Sequence, residues 1–158
     1  MSRELADSSV RTGVIIVDHG SRRQSSNDML LKAAEAFAAQ SPYSIVEPAH
    51  MELAEPDIAT AFSRCVERGA HRVIVFPYFL STGRHWKEDI PRMVRDAARN
   101  HPDTEWLVTA PFALHPDLLQ IINDRIEDCL QRALGTTVDE HCDACEDGQQ
   151  CRLFRSAD

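Results

Sequence analysis

Three side chains that can bind metals or move protons follow three successive apolar runs of the sequence. His19 directly follows the first run, Glu52 stands at the end of the second, and His85 lies in the loop after the third. Two imidazoles and one carboxylate form a borderline ligand set that suits Fe, Co, Ni or Zn at open coordination. The same groups can accept protons near neutral pH, because imidazole titrates there without perturbation. The trio therefore predicts metal binding or acid–base chemistry.

Each of these residues also has a simpler interpretation. A histidine in a polar turn is often only solvated, and Glu52 could belong to the acidic lead-in of a helix. His50 competes for the same role, but it lies inside a predicted strand. The other histidines stand at predicted helix or loop boundaries and are typical of surface groups: His71, His101, His115 and His141. Position favours His19 most, because it comes straight after a buried strand.

The elements that must position the trio alternate along the chain. Strands are predicted at 14–17, 44–52, 72–77 and 106–110, and helices at 27–40, from 55–57 to 69, at 86–99 and at 117–134. This alternation predicts right-handed βαβ units and a parallel sheet. Pro48 removes a ladder donor, so the second strand should lie at an edge. The expected fold is three-layer α/β, with a flavodoxin-like strand order of 2-1-3-4.

This strand order brings the three candidate residues to one place. Ligands of open α/β sheets bind outside the carboxyl ends of the strands. Strands 2 and 3 should flank strand 1 at about 4.8 Å on each side. The side chains of His19, Glu52 and His85 could then converge over a space of about one metal ion.

Composition excludes several other classes of protein. The chain has 158 residues, of which 43% are hydrophobic and 27% charged, as expected for a single globular domain. Its formal net charge of -8 argues against nucleic-acid binding, which requires clustered cations. No apolar run approaches the roughly 20 residues of a membrane span. Residues 1–12 resemble neither a secretory nor an organelle transit peptide, so we expect no such peptide in this chain.

Four of the five cysteines lie in the last thirty residues: Cys129, Cys142, Cys145 and Cys151. This clustering favours metal ligation over a disulfide framework. Thiolates at these positions could hold zinc or an iron–sulfur cluster, and spacing alone does not decide between them. A single Cys-x2-Cys pair fits a [2Fe–2S] ligand set somewhat better than a zinc ribbon. Cys129, on the last helix, could instead be a small core residue, and so could Cys65.

The segment from residue 136 onward differs from the rest of the chain. It is acidic, poor in apolar residues and rich in cysteine, and without a ligand it should be disordered. We therefore divide the sequence into a domain at 13–135 and a cysteine-containing extension at 136–158.

Three motifs together resemble the class II tetrapyrrole chelatases of the SirB/CbiX type. They are Val-Asp-His-Gly-Ser at 17–21, Glu-Pro-Ala-His-Met-Glu-Leu-Ala-Glu-Pro at 47–56 and Gly-Arg-His-Trp-Lys-Glu-Asp-Ile-Pro at 83–91. The resemblance implies insertion of a divalent metal into sirohydrochlorin without ATP, giving siroheme when the metal is Fe²⁺. It also implies that His19 and His85 handle the metal, with Glu52 as their acidic partner.

The motif around His85 departs from the family at one point. Where members often have Phe-Pro-Gly before the Arg-His pair, this chain has Ser81-Thr82-Gly83. Gly83 keeps the backbone freedom that we expect the loop to need.

The implied substrate carries several carboxylates, which an acidic protein must meet with local cations. Arg22, Arg23 and Arg84 lie beside the two histidine loops and are candidate partners through bidentate pairing. Ser21 and backbone N–H groups at the next helix start could also receive carboxylates. Ordinary solvated arginines are the alternative interpretation.

The tail, with Cys-Asp-Ala-Cys and Gln-Gln-Cys-Arg-Leu-Phe, resembles the C-terminal extension of plant and algal sirohydrochlorin ferrochelatases. That resemblance implies a [2Fe–2S] cluster on Cys129, Cys142, Cys145 and Cys151. It further implies a plastid location if the source is a plant or alga, and a cytoplasmic one otherwise. The resemblance also implies a homodimer, because family members of this short size work as homodimers.

Two alternatives to iron insertion stay open at this point. The ligand set does not select strongly among Fe, Co and Ni, so the chain could insert cobalt or nickel into the same tetrapyrrole. It could also be a carrier that binds a metal or cluster at His19, Glu52 and His85 without turnover.

Overall fold

The structure is a computed structural model that describes residues 10–137, 142–145 and 152–153. It divides into two compact units, one up to residue 113 and one from residue 114, which are treated separately below. The expectations for Cys151 and for most of the 136–158 extension lie outside the described residues. The predicted boundary at 135/136 stays a prediction.

The first unit contains four strands and three α-helices. The strands are β1 (Thr12–Asp18), β2 (Ile45–His50), β3 (Arg72–Pro77) and β4 (Glu105–Val108). The helices are α1 (Gln24–Gln40), α2 (Ile58–Glu67) and α3 (Ile90–Ala98), and a π-helical turn at His85–Asp89 precedes α3.

The sheet confirms the predicted topology. All three pairings are parallel and the strand order is β2-β1-β3-β4. Among the strands that the structure describes, β2 pairs with β1 alone, so Pro48 lies in an edge strand, where its missing N–H costs no central ladder bond. The register places Asp18 beside His50 and Val17 beside Pro77, which aligns the carboxyl ends of β2, β1 and β3.

Side chains alternate between the two faces of the sheet and produce two separate cores. Ile15 and Val17 point to the face covered by α2 and α3, where Phe62 and Ile90 are fully buried. Val14 and Ile16 point to the other face, against Leu30 and Ala34 of α1. Helices on both faces of the sheet make the predicted three layers.

Several boundaries differ from those predicted. α1 begins at Gln24 rather than at 27, and β2 ends at His50 rather than at 52. β4 ends at Val108 rather than at 110. His85 was expected in a loop but is the first residue of the π-helical turn. These differences affect the candidate site. Glu52 lies in the segment after β2 rather than in the strand, and His85 lies in a π-helical turn rather than in a loop.

The second unit is built on α4 (Pro116–Ala133). Proline occupies the first turn, where its missing N–H costs nothing, and Gly135 follows the helix with φ 67°. Cys129 is exposed, so the alternative of a core residue is wrong for it; Cys65 is fully buried, as that interpretation expected. Within the described residues, no helix has the length and apolar character to cross a membrane.

Candidate metal-insertion site

The structure brings the three predicted residues to one edge of the sheet. His19 follows β1 directly, Glu52 lies two residues beyond β2, and His85 begins the turn that leads into α3. Their side chains are partly or largely exposed at the carboxyl ends of three adjacent strands. A ligand approaching from solvent can therefore reach all three.

Glu52 is held against His19 by main chain and side chain together. The backbone N–H of Glu52 donates to the His19 carbonyl oxygen at 3.1 Å, just after the N–H of Met51 donates to Asp18 O at 2.9 Å. These bonds tie the segment after β2 to the end of β1. The Glu52 Oε1 atom then lies 2.9 Å from His19 Nε2.

His85 contacts the same imidazole ring. The His19 and His85 rings lie edge to face with their centroids 5.2 Å apart. His85 Nδ1 is 2.9 Å from Asp89 Oδ2, one turn further along the chain. This hydrogen bond, assisted by Arg92, holds the pKa of the Asp89 carboxyl below its ordinary value.

Both histidines have a hydrogen-bond partner at Nδ1, and Nε2 of His19 faces the Glu52 carboxylate. His19 Nδ1 lies 3.3 Å from the Gly20 carbonyl oxygen, and His85 Nδ1 faces the Asp89 carboxylate. A carbonyl or carboxylate partner on one ring nitrogen is the usual support of a metal-binding histidine. Yet among residues 10–137, 142–145 and 152–153 no group of three His, Cys, Asp or Glu side chains is arranged to hold a metal ion. The trio is clustered without forming a closed ligand set.

The sequence reasoning considered His50 only as a competitor for the metal role and missed the polar contacts that His50 and Asn27 make next to the trio. His50 is fully buried, and its Nδ1 lies 2.5 Å from Asp18 Oδ1. Asn27 is also buried and bonds both the N–H (2.9 Å) and the carbonyl oxygen (2.8 Å) of Ser21. The signal for His50 was its position, since it precedes Glu52 by two residues in the motif that carries the acid. For Asn27 the only signal was a polar residue near the start of a predicted helix.

The predicted substrate-binding residues differ in whether they already have a hydrogen-bond or ion-pair partner. Arg22 and Arg23 are exposed and form no ion pair with any residue that the structure describes. Arg84 is exposed and lies 3.4 Å from Glu88. The backbone N–H of Ser21 is occupied by Asn27, while its hydroxyl oxygen accepts from the Arg23 N–H at 3.1 Å. Their role in binding a substrate stays a prediction.

The loop glycines behave differently from the expectation. Gly83 has no positive φ, and a Cβ added there would meet no atom of the described part of the chain within 4 Å. Gly20 instead has φ +84°, and a Cβ there would lie 1.9 Å from the Glu52 carbonyl oxygen. The residue that requires glycine is therefore the one directly after His19.

In the second unit, the described cysteines of the tail lie beside α4. Arg125 forms a two-pronged ion pair with Asp143, which stands between Cys142 and Cys145. Arg125 is one helical turn before Cys129, so both project from similar faces of α4. Backbone N–H groups of Ala144 and Cys145 hydrogen-bond the Cys142 sulfur and lower the pKa of that thiol. A cluster-binding loop needs the same stabilisation of thiolate.

Comparison with known proteins adds a family match. The model of the CbiX family matches residues 13–129. A chloroplastic sirohydrochlorin ferrochelatase from Arabidopsis thaliana is 49% identical over 92% of this chain and 64% of its own length. A sirohydrochlorin cobaltochelatase from Methanopyrus kandleri is 31% identical over 74% of this chain and 96% of its own length.

A solved structure shares the fold. SirB from Bacillus subtilis, determined with Fe³⁺, superposes with a TM-score of 0.71 at 28% identity, over 75% of this chain and 47% of that one. The chain thus spans less than two thirds of the Arabidopsis protein and about half of the Bacillus protein.

Proposed function

The chain belongs to the CbiX family, and from that premise we propose that it is a sirohydrochlorin ferrochelatase. The reaction inserts Fe²⁺ into sirohydrochlorin and releases two protons, giving siroheme. The observation that carries the proposal is the convergence of His19, Glu52 and His85 at three adjacent strand ends. The 49% identity to a plant enzyme of that activity supports it.

The geometry suggests how these residues share the work. Two pyrrole protons must leave as the metal enters, so the site needs ligands and bases side by side. His19 Nε2, which faces Glu52 at 2.9 Å, can exchange that partner for the incoming metal or for a proton. Glu52 then balances the charge of the metal, and His85 contributes a second imidazole oriented by Asp89. None of these steps uses ATP.

The carboxylates of sirohydrochlorin need cations in this acidic chain. Arg22, Arg23 and Arg84 are exposed next to the histidine loops, and Ser21 offers a hydroxyl. Arginine pairs carboxylates in a bidentate manner, so these residues would fix the macrocycle above the site.

Turnover of sirohydrochlorin under anaerobic conditions, followed by absorbance, tests the activity. We expect metal insertion with Fe²⁺ and its loss in His19→Ala. His71→Ala is the matched control, because His71 is exposed just before β3, at the opposite end of that strand. A His19→Ala variant as active as the wild type contradicts the assignment.

Cobalt or nickel insertion is the second candidate, supported by the similarity to the Methanopyrus cobaltochelatase. Parallel assays with Co²⁺ and Ni²⁺ decide it by the ratio of kcat/KM values among the metals. A carrier of metal or cluster would bind metal at His19 but give no product with any of the three.

We further propose that two copies of the chain form the working enzyme. The chain spans about half of the Bacillus protein, and a tetrapyrrole needs a second wall opposite the site. α4 carries a row of exposed apolar side chains that is available for such an interface: Leu119, Ile122, Ile126 and Leu130. Light scattering should give twice the chain mass, and Ile122→Glu with Ile126→Glu should reduce it to one chain.

A [2Fe–2S] cluster on Cys129, Cys142, Cys145 and Cys151 is part of the same proposal. The chemistry of the donors fits it: Cys129 is exposed, and hydrogen bonds from backbone N–H groups lower the pKa of the Cys142 thiol. When bound, such a cluster exchanges one electron at a time. The chain's own contribution is to hold the Cys142–Cys145 loop beside α4 through Arg125 and Asp143.

Absorbance and iron analysis of anaerobically purified protein test the cluster. We expect a coloured protein with two irons per chain, and reduced iron content in Arg125→Gln. Arg99→Gln is the control, since Arg99 pairs with Asp96 on α3. A colourless protein with stoichiometric zinc contradicts the proposal.

The relative from Arabidopsis is named chloroplastic, and we propose a plastid location for this chain if its source is a plant or alga. Microscopy of the full gene product fused to a fluorescent protein checks this. A cytoplasmic signal in such a host contradicts it.

A further inference from the structure

The fully buried His50 and the part-buried Asp18 form a pair at the strand ends next to the proposed metal site. The register of β1 and β2 places the two residues opposite each other, and His50 Nδ1 lies 2.5 Å from Asp18 Oδ1. Asp18 is followed by His19, and His50 precedes Glu52 by two residues. The pair therefore joins the two strand ends from which the site residues project.

The backbone around the pair is tied at several points. Asp18 Oδ1 also accepts from the Gly20 N–H at 2.9 Å, which closes the turn carrying His19. The His50 N–H donates to Pro56 O at 2.8 Å, which closes the loop carrying Glu52. Gly20 packs so tightly that an added Cβ would lie 3.2 Å from the His50 Cβ. The turn after β1 and the loop after β2 thus meet over one buried contact.

This arrangement costs more free energy than a purely structural contact requires. His50 has no exposed surface, and its Nε2 has no hydrogen-bond partner among the residues that the structure describes. Leaving a buried polar atom unpaired costs free energy that an apolar side chain of similar volume avoids. A leucine could fill the space without this cost, but it could not hold Asp18.

We propose that His50 and Asp18 are positioning residues that set the separation of His19 and Glu52 for metal binding. The pair fixes the Asp18 carboxylate, that carboxylate fixes the turn at Gly20, and the turn fixes the direction of His19. The inference rests on the proposed function, since it takes His19 and Glu52 as the residues that receive the metal. Second-layer partners of this kind typically change metal affinity by about 10–100-fold.

The test is anaerobic titration of the purified chain with Co²⁺ alone, read from the visible ligand-field spectrum. His50→Leu should weaken Co²⁺ binding by about 10–100-fold. Its midpoint of thermal unfolding should change little, because the removal of the unpaired Nε2 offsets the loss of the partner of Asp18. His101→Leu is the matched control, since it removes another part-buried histidine that is hydrogen-bonded, to Ser63 at 3.0 Å. It should leave the spectrum and the affinity unchanged.

A conservative pair of variants guards against misfolding. The amide of His50→Asn can occupy the place of Nδ1 and donate to Asp18, whereas that of His50→Gln reaches the place of Nε2. We expect Asn to retain most of the Co²⁺ affinity and Gln to lose it. Equal affinity of His50→Leu and the wild type, or of the Asn and Gln variants, overturns the inference.

Failure of the proposed function has a different signature. If the wild type and His19→Ala give the same Co²⁺ titration, the metal does not bind at His19 and the inference falls with the proposed site. If His19→Ala abolishes binding while His50→Leu does not change it, the proposed site stands and only the positioning role is overturned.

Discussion

Glu52 contacts His19 twice, once through its backbone N–H to the His19 carbonyl oxygen at 3.1 Å and once through Oε1 to Nε2 at 2.9 Å. The first contact ties the segment just beyond β2 to the residue after β1, so the backbone of Glu52 is fixed to the end of the sheet. The second contact places that carboxylate at Nε2, whereas the other ring nitrogen, Nδ1, faces the Gly20 carbonyl oxygen. The acid and the histidine therefore act as one unit.

Replacing Glu52 by glutamine should test this unit without changing its shape. Glutamine keeps the backbone bond and the side-chain length but removes the negative charge and the proton acceptor. We expect kcat for metal insertion to fall by about 10²–10⁴-fold, the usual range for a group that transfers protons in the transition state. Glu67→Gln, at the exposed end of α2, is the control. Activity of Glu52→Gln within twofold of the wild type would show that the charge is not used.

Gly20 and Gly83 should respond in opposite ways to the same substitution. Alanine at Gly20 meets both a positive φ and the Glu52 carbonyl oxygen at 1.9 Å, so we expect a loss of at least about 1–3 kcal/mol in the free energy of unfolding. Alanine at Gly83 meets open space and should leave stability unchanged or raise it by up to about 1 kcal/mol. Urea denaturation measures both. Similar losses at the two positions would mean that the turn after His19 relaxes more easily than its packing indicates.

The sheet could be predicted because its causes are local in the sequence. Alternating apolar runs and helical patterns specify βαβ units, and Pro48 alone assigns an edge to β2, which together give the strand order. The placement of His19, Glu52 and His85 at the strand ends follows from that order. The layer beneath them depends on cross-strand register, and no local pattern shows that Asp18 lies opposite His50.

Other features escaped prediction for related reasons. The π-helical turn at His85–Asp89 differs from an ordinary helix start by a single hydrogen-bond register, which residue types do not specify. Gly20 and Gly83 look equivalent in sequence, and only their φ angles and neighbours distinguish them. The apolar stripe of α4 predicts a buried face but not the surface that buries it, so the exposure of Cys129 could not be foreseen.

Asp89 should orient His85 through its ionised carboxylate. The hydrogen bond with His85 lowers the pKa of Asp89, so the carboxylate persists into more acidic solution than usual. Because the folded pKa is the lower one, the stabilisation by this group is full above its unfolded pKa of about 4. It is lost as the pH falls through the folded value. Asp89→Asn should weaken Co²⁺ binding by about 10–100-fold.

Two measurements check this prediction for Asp89. Its carboxyl should titrate below the ordinary range in an NMR titration, and the stability difference between the wild type and Asp89→Asn should shrink as the pH is lowered. Asp96→Asn serves as the control for Co²⁺ affinity, because Asp96 lies on α3, the helix that begins directly after Asp89. An unchanged affinity in Asp89→Asn would remove Asp89 from the site.

The cysteines of the chain should differ sharply in reactivity, because their pKa values move in opposite directions. Burial raises the pKa of Cys65 to about 12, so at pH 7.5 almost no thiolate is present there, and the thiol is enclosed as well. Backbone N–H groups of Ala144 and Cys145 lower the pKa of Cys142, so its thiolate forms at a lower pH than that of an ordinary thiol. Iodoacetamide reacts with the thiolate, and mass spectrometry of the cluster-free chain should therefore find Cys142 alkylated first and Cys65 unmodified. As a control, the alkylation rates of Cys65 and Cys142 should become similar in urea. Rapid alkylation of Cys65 in the folded chain would contradict its enclosure between β1 and α2.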